Sequence, residues 1–218
     1  HEKGVSPLHS LINARQAMFD NVYWHHTNRA CSAMLLRAIQ DAMLAGAIAA
    51  DTLASQDDRS LIDTLGRSGM PASTQRLAKA LWERRVYKRA VEIGSRAFEL
   101  YGRLGNLYFD PLARRDVELR MAERLAALTG RPVPEDAILI DIPKPEKWKT
   151  DVWVSFEHPP VGFGLLMPWR DVVGLSDDDF KRYEEHRRLI RIVTRSEFRD
   201  VVRESWEQLL YPQLGAAI

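Results

Sequence analysis

Arg15 lies four residues from both Leu11 and Phe19, so on a helix its side chain projects from an apolar stripe. An unpaired guanidinium in such surroundings is costly and calls for an anion. Two partners would serve: a carboxylate from another helix, since the sequence holds 30 acidic residues, or a phosphate taken bidentately by the planar fork. Tyr23 follows eight residues later, about 12 Å along the axis at ~1.5 Å per residue and turned by roughly 80°. One extended ligand could touch both, with phosphate at one end and sugar or base at the other. A core tyrosine with a satisfied hydroxyl fits the same position.

His25 and His26 are adjacent, so on a helix they point about 100° apart and cannot both bind one metal in ordinary geometry. Asp20 is five and six positions away from them, and no His-x-x-x-His or Glu-x-x-His spacing occurs there. The other histidines, His1, His9, His158 and His186, are scattered. No metal site is therefore expected within this chain. A phosphate loop of the GxxxxGK[ST] kind is missing, Gly162 and Gly164 form an isolated pair, and there is no serine nucleophile elbow. Arg84, Arg85, Lys88 and Arg89 form a cationic run that could hold phosphate at a subunit boundary, or simply complement the end of a helix.

These side chains must be carried by an ordinary folded scaffold. The 218 residues are 45% hydrophobic and 28% charged, enough to bury a core without disulfides. Lys and Arg number 31 and the net charge is +1, so nothing pulls the whole chain toward nucleic acid or an anionic membrane, and neither is an expected partner. Cys31 is the single cysteine, which favours a reducing compartment and a cytoplasmic location. No apolar run approaches the ~20 residues that span a bilayer. The chain starts at His1 rather than methionine, and the expectation is that it is a piece of something longer.

The apolar spacing predicts one helix from Ser6 to about Ala45, a short one from Asp57 to Leu65 closed by Gly66, and a third opened by Pro71 that runs on to about Gly94. Phe98 to Tyr101 precedes a loop over 102–110, and Pro111 starts a helix ending at Gly130 with a stripe of Leu112, Val117, Met121, Leu125 and Leu128. After Arg131 the character changes. Segments 137–142, 151–156, 164–167 and 189–193 are rich in β-formers. Ser176 caps a helix containing Phe180 and Tyr183, and a last helix runs from Ser196 to about Leu210. The predicted fold is mainly α: a helical region over 1–131, then a small α+β C-terminal lobe over 132–218 whose helices cover one sheet face.

The segment Arg15-Gln-Ala-Met-Phe-Asp-Asn-Val-Tyr-Trp-His-His26 resembles the helix that follows the catalytic core in HD-superfamily phosphohydrolases, dNTP triphosphohydrolases among them. Its pattern is Arg-x-x-Met-[Phe or Tyr]-x-x-Val-Tyr-x-His. Arg85-Val-Tyr-Lys88 resembles that family's Arg-x-aromatic-Lys segment, and Ile138 to Ile142 with the later elements resembles its C-terminal lobe. The resemblance implies that Arg15 contacts substrate phosphates and that Tyr23 packs against the sugar. His26 would face a regulatory nucleotide, with histidine in place of lysine, and Trp24 replaces a polar residue that helps read the base.

The family's metal ligands are a histidine, a His-Asp dipeptide and a final aspartate ahead of the Arg15 helix, and this sequence contains no His-Asp dipeptide. The expectation is therefore the C-terminal part of a metal-dependent phosphohydrolase acting on nucleoside triphosphates or related phosphoesters. No cofactor is expected in this chain, and a divalent Mn, Fe, Mg or Zn ion is expected in a full-length parent. The chain would supply Arg15 and Tyr23 to a pocket wall, and His26, Arg85 and Lys88 to a regulatory or interface phosphate site. A homo-oligomer is expected. The competing expectation is a non-catalytic helical binding or oligomerisation module.

Overall fold

In the computed structural model, residues 2–144, 152–176, 178–179 and 188–215 are described. The chain is mainly α and divides into two compact units, 1–25 with 144–189 and 26–143 with 190–218. Each unit takes chain from both sides of the change in composition near Arg131. The helix expected at Phe180 and Tyr183, and His1 and His186, lie outside the described residues.

In the larger unit, α2 (His26–Leu44), α3 (Ala50–Ala54), α4 (Asp58–Leu65) and α5 (Ala72–Trp82) come first, followed by strand β1 (Lys88–Ile93). Then come α6 (Phe98–Asn106), α7 (Pro111–Thr129) and strand β2 (Ile138–Asp141). Local chemistry sets several ends. The Asp57 carboxylate accepts from Ser60 N–H at 2.8 Å and Ser60 Oγ accepts from Asp57 N–H at 3.0 Å, a capping box that starts α4. Asp110 accepts from Ala113 N–H ahead of Pro111, and Gly130 closes α7 in the left-handed conformation that suits glycine, at φ 63°.

This unit's sheet has the order β1, β5 (Ile190–Thr194), β2, with both pairs antiparallel. All residues of β2 and β5 are buried, because helices cover both sheet faces rather than the expected one. Ile138, Ile140, Ile190 and Ile192 pack with Val117, Met121 and Leu125 of α7 and with Val202, Leu209 and Leu210 of the last helix, α9 (Arg199–Leu214). Their alternates, Leu139 and Val193, pack on the other side with Ala30, Met34 and Ala38 of α2 and Leu77 of α5. Leu112 and Leu128 stay exposed, so the buried stripe of α7 is narrower than expected.

The third predicted helix does not reach Gly94. It stops at Trp82, where Arg85 N–H donates to Ala80 O at 2.8 Å and Arg84 N–H to Leu81 O at 3.1 Å, with Arg84 at φ 56°. That is the reversed-turn helix end in which glycine is usual, and it frees Lys88–Ile93 to pair with β5. The expected loop over 102–110 is also partly helical: α6 continues through Gly102 and Gly105 because Leu100 and Leu104 anchor one face in the core.

The smaller unit holds α1 (Val5–Met18), a hairpin of β3 (Trp153–Ser155) and β4 (Leu166–Pro168), and the short α8 (Trp169–Val172). Ile12, Val154 and Trp169 form its core, with Val5 and Leu8 packed against them. The single helix predicted from Ser6 to Ala45 is interrupted. Phe19–Tyr23 forms a π-helical turn closed by Trp24 N–H donating to Phe19 O at 2.8 Å, and the chain leaves the helix at Trp24. Among the described residues no helix is long and apolar enough to cross a membrane.

Candidate functional site

The buried side of α1 carries Val5, Leu8 and Ile12, which leaves the row Leu11, Arg15, Met18 and Val22 outside. Arg15 is consequently exposed, not held in an apolar seam. Its guanidinium sits over the Phe19 ring, 4.9 Å from the centroid, and among the described residues it makes no ion pair. Phe19 also meets the Tyr23 ring at 5.2 Å and the Trp24 ring at 5.9 Å. The π turn thus gathers a cation and a half-exposed phenol around one aromatic ring. The Arg15 guanidinium can offer N–H donors to phosphate oxygens, and the exposed aromatic side chain of Tyr23 a ring edge or face to a sugar or base.

Arg85 and Lys88 come together in the larger unit, where both line a hollow of about 370 Å³. His26, half-buried at the start of α2, is not among the residues lining it. The other cations there are Arg76, Lys79, Arg84 and Arg195. Arg76 donates through Nε to Asp136 at 2.8 Å and through Nη2 to the same carboxylate, which is buried and also accepts from the Tyr87 hydroxyl at 3.1 Å. Burial and the Asp136 charge push the Tyr87 phenol well above its usual range, so it stays a neutral donor. Arg85 pairs with Glu83 and Arg195 with Glu197 at 2.7 Å. Lys88 and Arg84 have no carboxylate within 4.0 Å among the described residues.

Two charge networks in the same unit close the helix-sheet seams. On α2, Arg37 donates to Asp41 at 3.0 and 3.1 Å and to Glu118 of α7 at 2.5 Å, while Arg115 and Ser73 also donate to Asp41 at 2.6 and 2.7 Å. Glu118 accepts from Ile140 N–H at 2.8 Å, which ties α7 to β2. Burial alone would raise Asp41, but Arg115, Arg37 and Ser73 hold it below its usual value. Burial dominates at Glu118 and raises it. At the sheet end, Asp141 accepts from Arg29 at 2.9 Å and lies 3.8 Å from Arg191, which donates to Glu92 at 3.1 Å.

The sequence reading missed Arg37, Asp41 and Glu118, and also Arg76, Lys79 and Arg195. Arg37 and Asp41 carried a visible i,i+4 signal, whereas Arg195 reaches the hollow only through sheet pairing. Cys31 is half-buried, and burial pushes its thiol up, so it is a poor nucleophile. Among the described residues no three His, Cys, Asp or Glu converge on one point.

The fold is mainly α with a small α+β part, and each unit carries an exposed cationic surface, one at Arg15 and one around Arg84 and Lys88. The family described as HD associated region matches residues 1–158, and the chain belongs to it. That family associates the chain with HD-domain proteins. No curated protein and no solved structure matches it.

Proposed function

We propose that this chain is the accessory part of an HD-domain, metal-dependent phosphohydrolase of the reducing cytoplasm. Its substrates are (deoxy)nucleoside triphosphates or related phosphoesters. Arg15 and Tyr23 contribute a wall of the substrate pocket, and His26, Arg85 and Lys88 contribute regulatory or interface phosphate contacts. A divalent Mn, Fe, Mg or Zn ion would be held by the HD domain with which this region is associated. The observation carrying this reading is the exposed face at the π turn, where Arg15 lacks a carboxylate partner among the described residues and shares Phe19 with Tyr23. Single π-helical turns are frequent at functional sites.

Titrating nucleoside mono-, di- and triphosphates against the wild type and Arg15→Ala tests it. The wild type should bind more tightly with each added phosphate, and Arg15→Ala should lose that dependence. Identical affinities in the two proteins would leave Arg15 as an ordinary surface residue.

A second role, as an oligomerisation surface in a homo-oligomer, is favoured by exposed Leu36 and Leu44 on α2 together with Phe109 and Leu112. The latter two flank Pro111, whose carbonyl accepts from Gln40 at 2.8 Å. Leu36→Glu with Phe109→Glu should lower the sedimentation coefficient if that surface joins copies of the chain.

A further inference from the structure

We infer that the cationic tract along α5 is a docking groove for single-stranded nucleic acid. Two hollows flank this helix. One, of about 620 Å³, lies between α4 and α5 and is lined by Ile62, Asp63, Arg67, Gln75 and Trp82 among others. The second is the hollow of about 370 Å³ that holds Arg85 and Lys88. Arg76 and Lys79 line both, so the two surfaces are continuous across the helix.

The charge balance is one-sided. Asp136 is engaged by Arg76 and Tyr87, Glu197 by Arg195, and Glu83 by Arg85 and Lys79, which leaves Asp63 as the other acid lining the tract against seven lysines and arginines. Arg67, Arg84 and Lys88 have no carboxylate within 4.0 Å among the described residues. A whole-chain charge of +1 conceals this local excess. The 11 residues of α5 extend about 16 Å at ~1.5 Å each, which is longer than one nucleotide's phosphates need.

Trp82 selects among polyanions. It is 57% exposed, lines the larger hollow, and carries the Arg59 guanidinium 5.7 Å from its ring centroid. A flat ring with an adjoining cation is a platform for an unpaired base. Acidic peptide offers no matching flat face in its carboxylates, and duplex bases are already stacked. Arg84 adds a separate sign. It occupies a left-handed helix end at φ 56°, where glycine is the relaxed choice, and such strain collects at binding sites. The groove shares Arg85 and Lys88 with the regulatory phosphate reading and extends past them to Arg67 and Trp82.

The test is fluorescence anisotropy of the 218-residue chain with a labelled oligothymidylate of about 15 nucleotides, read between about 50 and 200 mM salt. Affinity should fall with salt, with a log–log slope near −0.7 for each phosphate neutralised. Trp82→Ala should weaken binding about tenfold at an unchanged slope. Arg67→Ala combined with Arg84→Gly should flatten the slope by about 1.4. Arg84→Gly alone should bind more weakly yet melt no lower than the wild type, because it relaxes the helix end and excludes misfolding as the cause. Triphosphate affinity retained in Trp82→Ala would separate the groove from the Arg85 and Lys88 contacts. No binding at about 50 mM salt, or binding insensitive to Trp82→Ala and displaced equally by polyglutamate of the same charge, overturns the proposal.

Discussion

Arg37 and Arg15 are both helical arginines in the first part of the chain, and their surroundings could hardly differ more. Arg37, on α2 in the larger unit, is buried and donates to two carboxylates, Asp41 one turn away and Glu118 on α7. Arg15, on α1 in the smaller unit, is exposed and rests on an aromatic ring. Arg37 spends Nε and Nη1 on internal acids, and its remaining Nη2 is buried without a partner, so this guanidinium holds helices in register and presents nothing to a ligand in solvent. One supported by a ring alone keeps its donors for something outside. The contrast recurs around α5, where Arg76 is committed to Asp136 and Arg84 is not.

The largest effect expected from this comparison is on stability. Asp41→Ala strips Arg37 and Arg115 of their shared carboxylate inside the larger unit and should cost about 3–5 kcal/mol, read from urea unfolding of the chain. A loss below about 1 kcal/mol would mean that the network is water-accessible in solution and that Arg37 differs little from a surface arginine.

The pH dependence sharpens it further, because the two acids around Arg37 shift in opposite directions. Asp41 is held below its unfolded value of about 3.9. It therefore contributes stability above that value, and this is lost as pH falls through its folded value. Glu118 is raised above its unfolded value of about 4.3. Its contribution is present below that value and is lost as pH rises through the folded one. The stability gap between wild type and Asp41→Asn should therefore close on going from about pH 7 to about pH 3. The gap between wild type and Glu118→Gln should widen over the same range. Thermal melts across that range check both, and gaps that move together would show the acids titrating as one coupled pair.

Much of this scaffold could be read from residue order, and the failures have particular causes. Asp57, Gly66, Asp110, Pro111 and Gly130 act through their immediate neighbours, so α4 and α7 were legible to within a residue or two. The break at Phe19–Tyr23 was not, since no glycine or proline marks it and the π turn is seen only in its backbone bond. The helix end at Arg84 was hidden for a related reason, because arginine stands where glycine would have announced the turn. At the candidate sites the sequence named Arg15, Tyr23, Arg85 and Lys88 by type and spacing. It could not show that Arg15 faces outward, which depends on Val154 and Trp169, far along the chain, choosing the Ile12 side of α1. Arg76 and Arg195 likewise join the hollow only once the strands pair.

The smallest expected effect is the one on which the comparison turns. A cation over an exposed ring contributes about 0.5–1 kcal/mol, and fixing a long arginine side chain costs rotamer entropy of similar size. Arg15→Ala should therefore shift stability by no more than about 0.5 kcal/mol, visible as an unchanged urea midpoint and an unchanged slope. Phe19→Leu supplies the internal control. Phe19 contacts Arg15, Tyr23 and Trp24 together, so its loss should loosen the π turn and lower the midpoint where Arg15→Ala does not. An Arg15→Ala protein that unfolds as readily as Asp41→Ala would show the outer arginine supporting the fold just as the inner one does, and would remove the reason for assigning it to a ligand.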